Sequence, residues 1–178
     1  MKAQIINRYG EHAALQTAEV PAPVMREDDV LVQIHAAGVN LLDSKIKSGE
    51  FKLILPYQLP LILGNAVAGI VVGVGSRVKR FKLGDEVYAR TYMDRIGSFA
   101  DFIALNDNDV ALKPNSFSMQ DAASLPLVGL TAWQALVELA SSELEQGEME
   151  RALELVSFVL ENAETNREAR QRAGQLKA

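Results

Sequence analysis

Asn40, Asp43 and Lys45 bring an amide, a carboxylate and an ammonium group together in one short stretch of chain. An amide can orient a carbonyl or a bound water, and a lysine can neutralise a phosphate or polarise an oxygen. The same residues also have a structural reading. Asn40 and Asp43 can cap a helix that starts near residues 41–44, their side-chain oxygens accepting backbone N–H groups. The two readings are compatible.

Other chemistry is excluded by residue type. The chain has no cysteine and only His12 and His35. That removes disulfides, thiolate zinc sites, iron–sulfur ligation, a cysteine nucleophile and a three-histidine metal centre. His35 falls on the polar side of a strand pattern and reads as structural or solvent-facing; nothing places a nucleophile beside it. No Gly-x-Ser-x-Gly elbow exists, so a serine hydrolase finds no support. Gly73-Val-Gly75 is a Gly-x-Gly, but a dinucleotide fingerprint needs a third glycine where Val78 stands, opening a helix.

The elements that must position these groups follow from patterning. With 23 acidic and 18 basic residues the chain is mildly acidic, which argues against a nucleic-acid partner. The uncharged stretch 53–76 contains two prolines and four glycines, so it reads as a loop and a buried strand rather than a membrane span. A soluble, cytoplasmic protein is expected. Asp29–His35 alternates Val30, Val32 and Ile34 against Leu31, Gln33 and His35, the period of a strand. Residues 68–74 are apolar and β-branched, as in a strand buried on both faces. Further strands are expected within 81–89 and 97–105, separated by turn residues, which predicts a barrel-like β domain.

The chain changes character near residue 139. All six prolines, ten of twelve glycines and ten of eleven aromatics precede it. Beyond it, Met149, Leu153, Val156 and Leu160 line one face of an amphipathic helix, and Asn166 can cap a second from about Arg167 to Lys177. The tail 139–178 is predicted to be a helical hairpin.

Several blocks carry a family resemblance. Residues 30–43 (VLVQIHAAGVNLLD), 63–69 (LGNAVAG), 72–78 (VGVGSRV), 81–87 (FKLGDEV), 97–102 (GSFADF) and 122–133 (AASLPLVGLTAW) occur in the order and spacing of the medium-chain dehydrogenase/reductase family. The chain resembles most its zinc-free quinone oxidoreductase and alkenal reductase branch. The resemblance implies a mainly β fold, a GroES-like barrel with short helices over residues 1–138, which in the complete enzyme faces a Rossmann domain that binds NADPH. It implies that Asn40 and Lys45 are catalytic, and that Asp43 and Thr131 face substrate or cofactor. Thr131 has a plain alternative, a helical threonine bonded back to its own turn. In zinc-dependent relatives a cysteine takes the place of Asn40, and a histidine followed by an acidic residue takes that of Asn65-Ala66. Amides are poor zinc ligands, so no metal is expected. Trp133 is expected to pack in the core.

The resemblance ends near Leu139, and the remaining 40 residues are too few for the βαβ units of a cofactor domain. No complete Rossmann domain is therefore expected, nor tight NADPH binding or turnover by this chain alone. The tail resembles instead part of a tetratricopeptide repeat, in Gly147, Met149, Ala152, Leu153, Val156, Val159, Leu160, Asn166 and Ala169, with Glu164 where such repeats carry proline. One incomplete repeat cannot bury its own face. Three readings follow. The chain is the substrate-side domain of an NADPH-dependent reductase of quinones or enones; a non-catalytic module whose hairpin docks a second copy or another protein; or a truncated or fused gene product. Neither nucleic acid nor membrane is an expected partner.

Overall fold

The computed structural model describes residues 1–161. Its order is β1 (Lys2–Ile6), β2 (Gln16–Glu19), β3 (Asp29–Gly38), α1 (Leu41–Ser48), β4 (Leu61–Ile62), β5 (Ala66–Val74), β6 (Glu86–Arg90), β7 (Phe102–Asn106), a 3-10 turn at Asp107–Asp109, β8 (Val110–Leu112), α2 (Met119–Ser124), α3 (Pro126–Glu145) and α4 (Met149–Glu161). These form two compact units, Met1–Leu127 and a second that begins at Val128. The change of composition near residue 139 thus falls inside α3, and the compact division comes earlier.

The first unit is built from two antiparallel sheets. A five-stranded sheet runs β7-β3-β5-β6-β8, and a three-stranded one runs β2-β1-β4. The alternation read from residues 29–35 is realised in β3: Val30 and Val32 are buried, Gln33 and His35 exposed. Successive strand residues point to opposite faces, so this pattern turns one valine face inward. Those valines meet Val67, Val71, Phe81, Val87, Ala89, Ile103, Leu105 and Val110 in the central core. A second cluster packs Ile46 of α1 against Ile6 and Leu63, and a third sets Ala122 and Ala123 of α2 on Ala68. The first cluster and the second anchor the two ends of the candidate site, β5 and α1. The strands β2, β4 and β8 are too brief to show a period in the sequence, and β1 is not marked by flanking turn residues as β6 and β7 are.

At the start of β3, Asp29 is fully buried and Arg95 clamps it with two hydrogen bonds of 2.9 and 2.8 Å, while the Arg26 N–H adds a third at 2.8 Å. The Arg95 guanidinium holds this carboxyl below the usual aspartate range, against the opposing effect of burial.

In the second unit, α3 stops at a turn containing Gly147, whose φ of +85° favours a residue without Cβ, and α4 follows. Val137 and Ala140 are buried with Trp133, Leu136 and Leu155 against them. Two details differ from the sequence reading. The first helix of the pair is α3, which already begins at Pro126. Moreover, Ala152 is buried and Leu155 packs inward, whereas Met149 and Leu153, predicted to share the packing face, are exposed. Trp133 packs in this small helical cluster, not in the barrel. The predicted helix from Arg167 to Lys177, with Asn166 and Ala169, lies outside the described residues.

Candidate functional site

The strand β3 ends at Gly38 and the chain turns through Val39 and Asn40 into α1. Asn40 is the residue before the first helical turn, with extended backbone (φ −123°, ψ 157°). The Asn40 backbone N–H donates to Asp43 Oδ2 at 2.7 Å, so the aspartate supplies the reciprocal arm of the cap. The Asn40 side-chain amide donates to the Gly38 carbonyl at 3.2 Å. Both arms of a capping box are present, the Asn40 side chain facing the Asp43 backbone, so the structural reading holds for both residues, and the Asn40 side chain is half-buried.

Asp43 itself is only 3% exposed. Its other oxygen, Oδ1, accepts from Asn65 Nδ2 at 2.6 Å, and the Gly64 N–H also bonds to the carboxyl. Burial raises this carboxyl above the usual aspartate range, and the three donors work in the opposite direction. Asn65, 2% exposed, stands just before β5, and its carbonyl accepts the Thr91 N–H at 3.0 Å. Gly64 has φ +111°, and a Cβ there would collide with Ser98 Oγ; its carbonyl receives the Gly97 and Ser98 N–H groups at 3.0 and 3.2 Å. Two buried hydroxyls beside this segment, Thr91 Oγ1 and Ser98 Oγ, have no hydrogen-bond partner among the described residues.

The predicted residues are thus divided. Asn40 and Asp43 come together, and with them Asn65, which the sequence marks only as a failed zinc ligand. Its place beside Gly64 in the block at 63–69 is the signal that points to it. Asp43 does not face outward but lies beneath Asn40. Lys45 points the other way along α1: its Nζ pairs with Glu50 at 2.9 Å and sits 5.8 Å from the centre of the Phe51 ring. Thr131 is exposed on α3, in the second unit. Beside Asn40, Val39 is 82% exposed and Leu41 74%, two apolar side chains bracketing one amide.

A groove of about 330 Å³ lies elsewhere on the first unit, lined by Arg26, Tyr92, Asp94, Arg95, Asn106 and Asp109 among others. None of the predicted residues lines it, and Arg95, its best-placed cation, is already paired with Asp29. Burial raises the Asp109 carboxyl there. Among the described residues no group of three or more His, Asp or Glu could hold a metal ion, and no helix is long and apolar enough to cross a membrane.

A dinucleotide pyrophosphate needs glycine backbone open to it at a helix N-terminus. Gly73 lies in β5, and a Cβ on Gly75 would strike the Arg26 and Glu27 carbonyls, so this glycine serves the close approach of two chain segments. Among the described residues this Gly-x-Gly does not fit a pyrophosphate.

Residues 26–115 match the alcohol dehydrogenase GroES-like domain, and the chain belongs to that family, within the medium-chain dehydrogenases/reductases. It is 41% identical over 143 residues to 2-methylene-furan-3-one reductase of Solanum lycopersicum, covering 76% of this chain and 37% of that protein. It is 36% identical over 150 residues to the human mitochondrial NAD(P)H oxidoreductase RTN4IP1, covering 76% of this chain and 38% of the relative. Among solved structures, the Escherichia coli quinone oxidoreductase complexed with NADPH superposes with a TM-score of 0.67 at 31% identity, covering 76% of this chain and 40% of that one. The chain spans about two-fifths of the length of the relatives it matches. The sheet-dominated, GroES-like fold expected from the sequence, with a helical C-terminal segment, is the fold observed.

Proposed function

We propose that the first unit is the substrate-side wall of a zinc-independent, NAD(P)H-dependent reductase of quinones or α,β-unsaturated carbonyls. The observation that carries this reading is the Asp43–Asn65 hydrogen bond under Asn40. Where zinc-dependent relatives hold metal ligands this chain has two amides: Asn65 is closed into a pair with the Asp43 carboxylate, and Asn40 is left as a half-buried neutral amide. Val39 and Leu41 on either side favour a flat apolar ligand, and the Asn40 amide can hydrogen-bond its carbonyl oxygen. Lys45, committed to Glu50, would have to leave that pair to touch a ligand. The names of the relatives support the same substrate class.

In such reactions the hydride comes from NADPH. The described residues do not fit its pyrophosphate, so the role proposed here is limited to binding and orienting the substrate. The 178-residue chain alone is expected to bind NADPH weakly and to show no saturable NADPH oxidation with 9,10-phenanthrenequinone. Titrating the ¹⁵N-labelled chain with that quinone should shift the Val39, Asn40 and Leu41 amides saturably. Shifts confined to other residues would sink the site assignment, and NADPH turnover by the isolated chain would sink the limit placed on it.

One observation favours a second role beside this one. Leu139, Met149 and Leu153 are exposed on α3 and α4, which suits docking of a second copy or another protein. Sedimentation of the chain and of Leu153→Glu across a concentration series tests self-association; an invariant monomer in both removes that form of the reading.

A further inference from the structure

We propose that Asp43 is a positioning residue: it fixes the backbone N–H of Asn40, and so the place of the Asn40 side chain at the rim of the site, by tying the start of α1 to the start of β5. The inference deepens the substrate-wall reading and rests on it for what Asn40 does, but not for how Asn40 is held. Two segments distant in sequence converge on one carboxylate. Oδ2 takes the Asn40 N–H at 2.7 Å, Oδ1 takes Asn65 Nδ2 at 2.6 Å, and the Gly64 N–H bonds to the same group. An ionised carboxylate has roughly four lone-pair positions, so three donors nearly saturate it. Since it only accepts, it also dictates the amide orientation at Asn65, the NH₂ toward Asp43. At 3% exposure Asp43 has no surface from which to touch a ligand.

The geometry shows why a residue is needed in this place. Asn40 sits where β3 has ended and α1 has barely begun, so neither a sheet ladder nor the helix fixes its N–H. Its side-chain NH₂ donates, at 3.2 Å, to a carbonyl of the same turn, and the rest of the amide faces the Asp43 backbone in the capping box. Immediately behind, Gly64 and Asn65 are rigidly set by the Gly97, Ser98 and Thr91 N–H groups. Asp43 transmits that rigidity to Asn40. A carboxylate suits the task because it can accept from both sides at once, which a neutral amide in the same place cannot: one of its ends would present N–H to N–H.

The test uses the full chain and Asp43→Asn, which keeps the shape, with Asp43→Ala alongside. Hydrogen exchange followed by NMR should show the Asn40 and Gly64 amides exchanging about tenfold faster or more in Asp43→Asn, as for a lost charge-assisted bond, while the Val32 and Val67 amides stay slow. In the unaltered chain the Asn65 side-chain NH₂ should exchange more slowly than that of exposed Gln134, a measurement that does not depend on any variant folding. Binding of 9,10-phenanthrenequinone, read from the Asn40 shift, should weaken about tenfold in Asp43→Asn, the equivalent of one charge-assisted hydrogen bond. Unchanged exchange at Asn40 and Gly64 in a folded variant, or a fast-exchanging Asn65 NH₂ in the unaltered chain, overturns the proposal. Equal quinone affinity in the two chains also overturns it. If the unaltered chain shows protected amides but binds no quinone, the substrate-wall reading falls and the positioning of Asn40 stands.

Discussion

The barrel unit and the helical unit bury apolar surface by different means. In the barrel, Val30 and Val32 of β3 meet Val67 and Val71 of β5 and Val87 of β6, so each strand completes the inside of its neighbours and the valine face is covered all round. Among the described residues of α3 and α4 a single seam does the work. Val137 and Ala140 are buried with Leu155 against them, while Leu139, Met149 and Leu153 lie exposed beyond that seam. Two helices can cover only one stripe of each other, and a third element would be needed to cover the rest. A truncation in the barrel core therefore removes more fully buried contacts than one at the helical seam.

Asp29→Asn leaves Arg95 facing a group without charge and should cost the barrel about 3 kcal/mol in urea unfolding followed by barrel amide signals. The pH dependence has a definite sign. A carboxyl held below its ordinary value stabilises the fold above that ordinary value, and the benefit disappears as pH falls through the lower native one. Asp43 and Asp109, raised by burial, act in the opposite sense: their cost to folding is present above their native values and is relieved as they protonate. Acid unfolding below the usual aspartate range should accordingly be blunted in Asp29→Asn; an acid limb as steep as that of the unaltered chain would remove the ion pair from the account.

Next comes Val67→Ala, which opens a cavity in the covered core and should cost about 2 kcal/mol. Leu155→Ala, at the single seam, should cost about 1 kcal/mol, because its site is already partly open to solvent. Trp133, the only tryptophan, belongs to the helical cluster, so its fluorescence reports this second change and amide signals report the first. Equal costs for the two substitutions would erase the distinction drawn between the units. The smallest effect is expected from Leu153→Glu, within about 0.5 kcal/mol in the monomer, since its side chain is already exposed.

The features that the amino-acid sequence makes legible by itself are local. The alternation in residues 29–35, the β-branched run of β5 and the Gly84-Asp85 turn ahead of β6 each encode their element within a few residues, because strand pleat and turn sterics act at that range. The cap at Asn40 and Asp43 is readable for the same reason. The helical start at Pro126 escapes such a reading because the composition around it still resembles the barrel. The packing face of α4 escapes it as well: a hydrophobic period marks which residues share a face, but only the partner helix selects between two adjacent stripes. The candidate site itself depends on distance in space. Asp43 and Asn65 are 22 residues apart, on a helix and beside a strand that share no local pattern, and they meet only because α1 packs through Ile46 onto Ile6 and Leu63. Residue types supplied an amide, a carboxylate and a second amide. Burial then decided that the carboxylate would serve the amides instead of a ligand, since a buried charge must turn its lone pairs to whatever donors the fold brings to it.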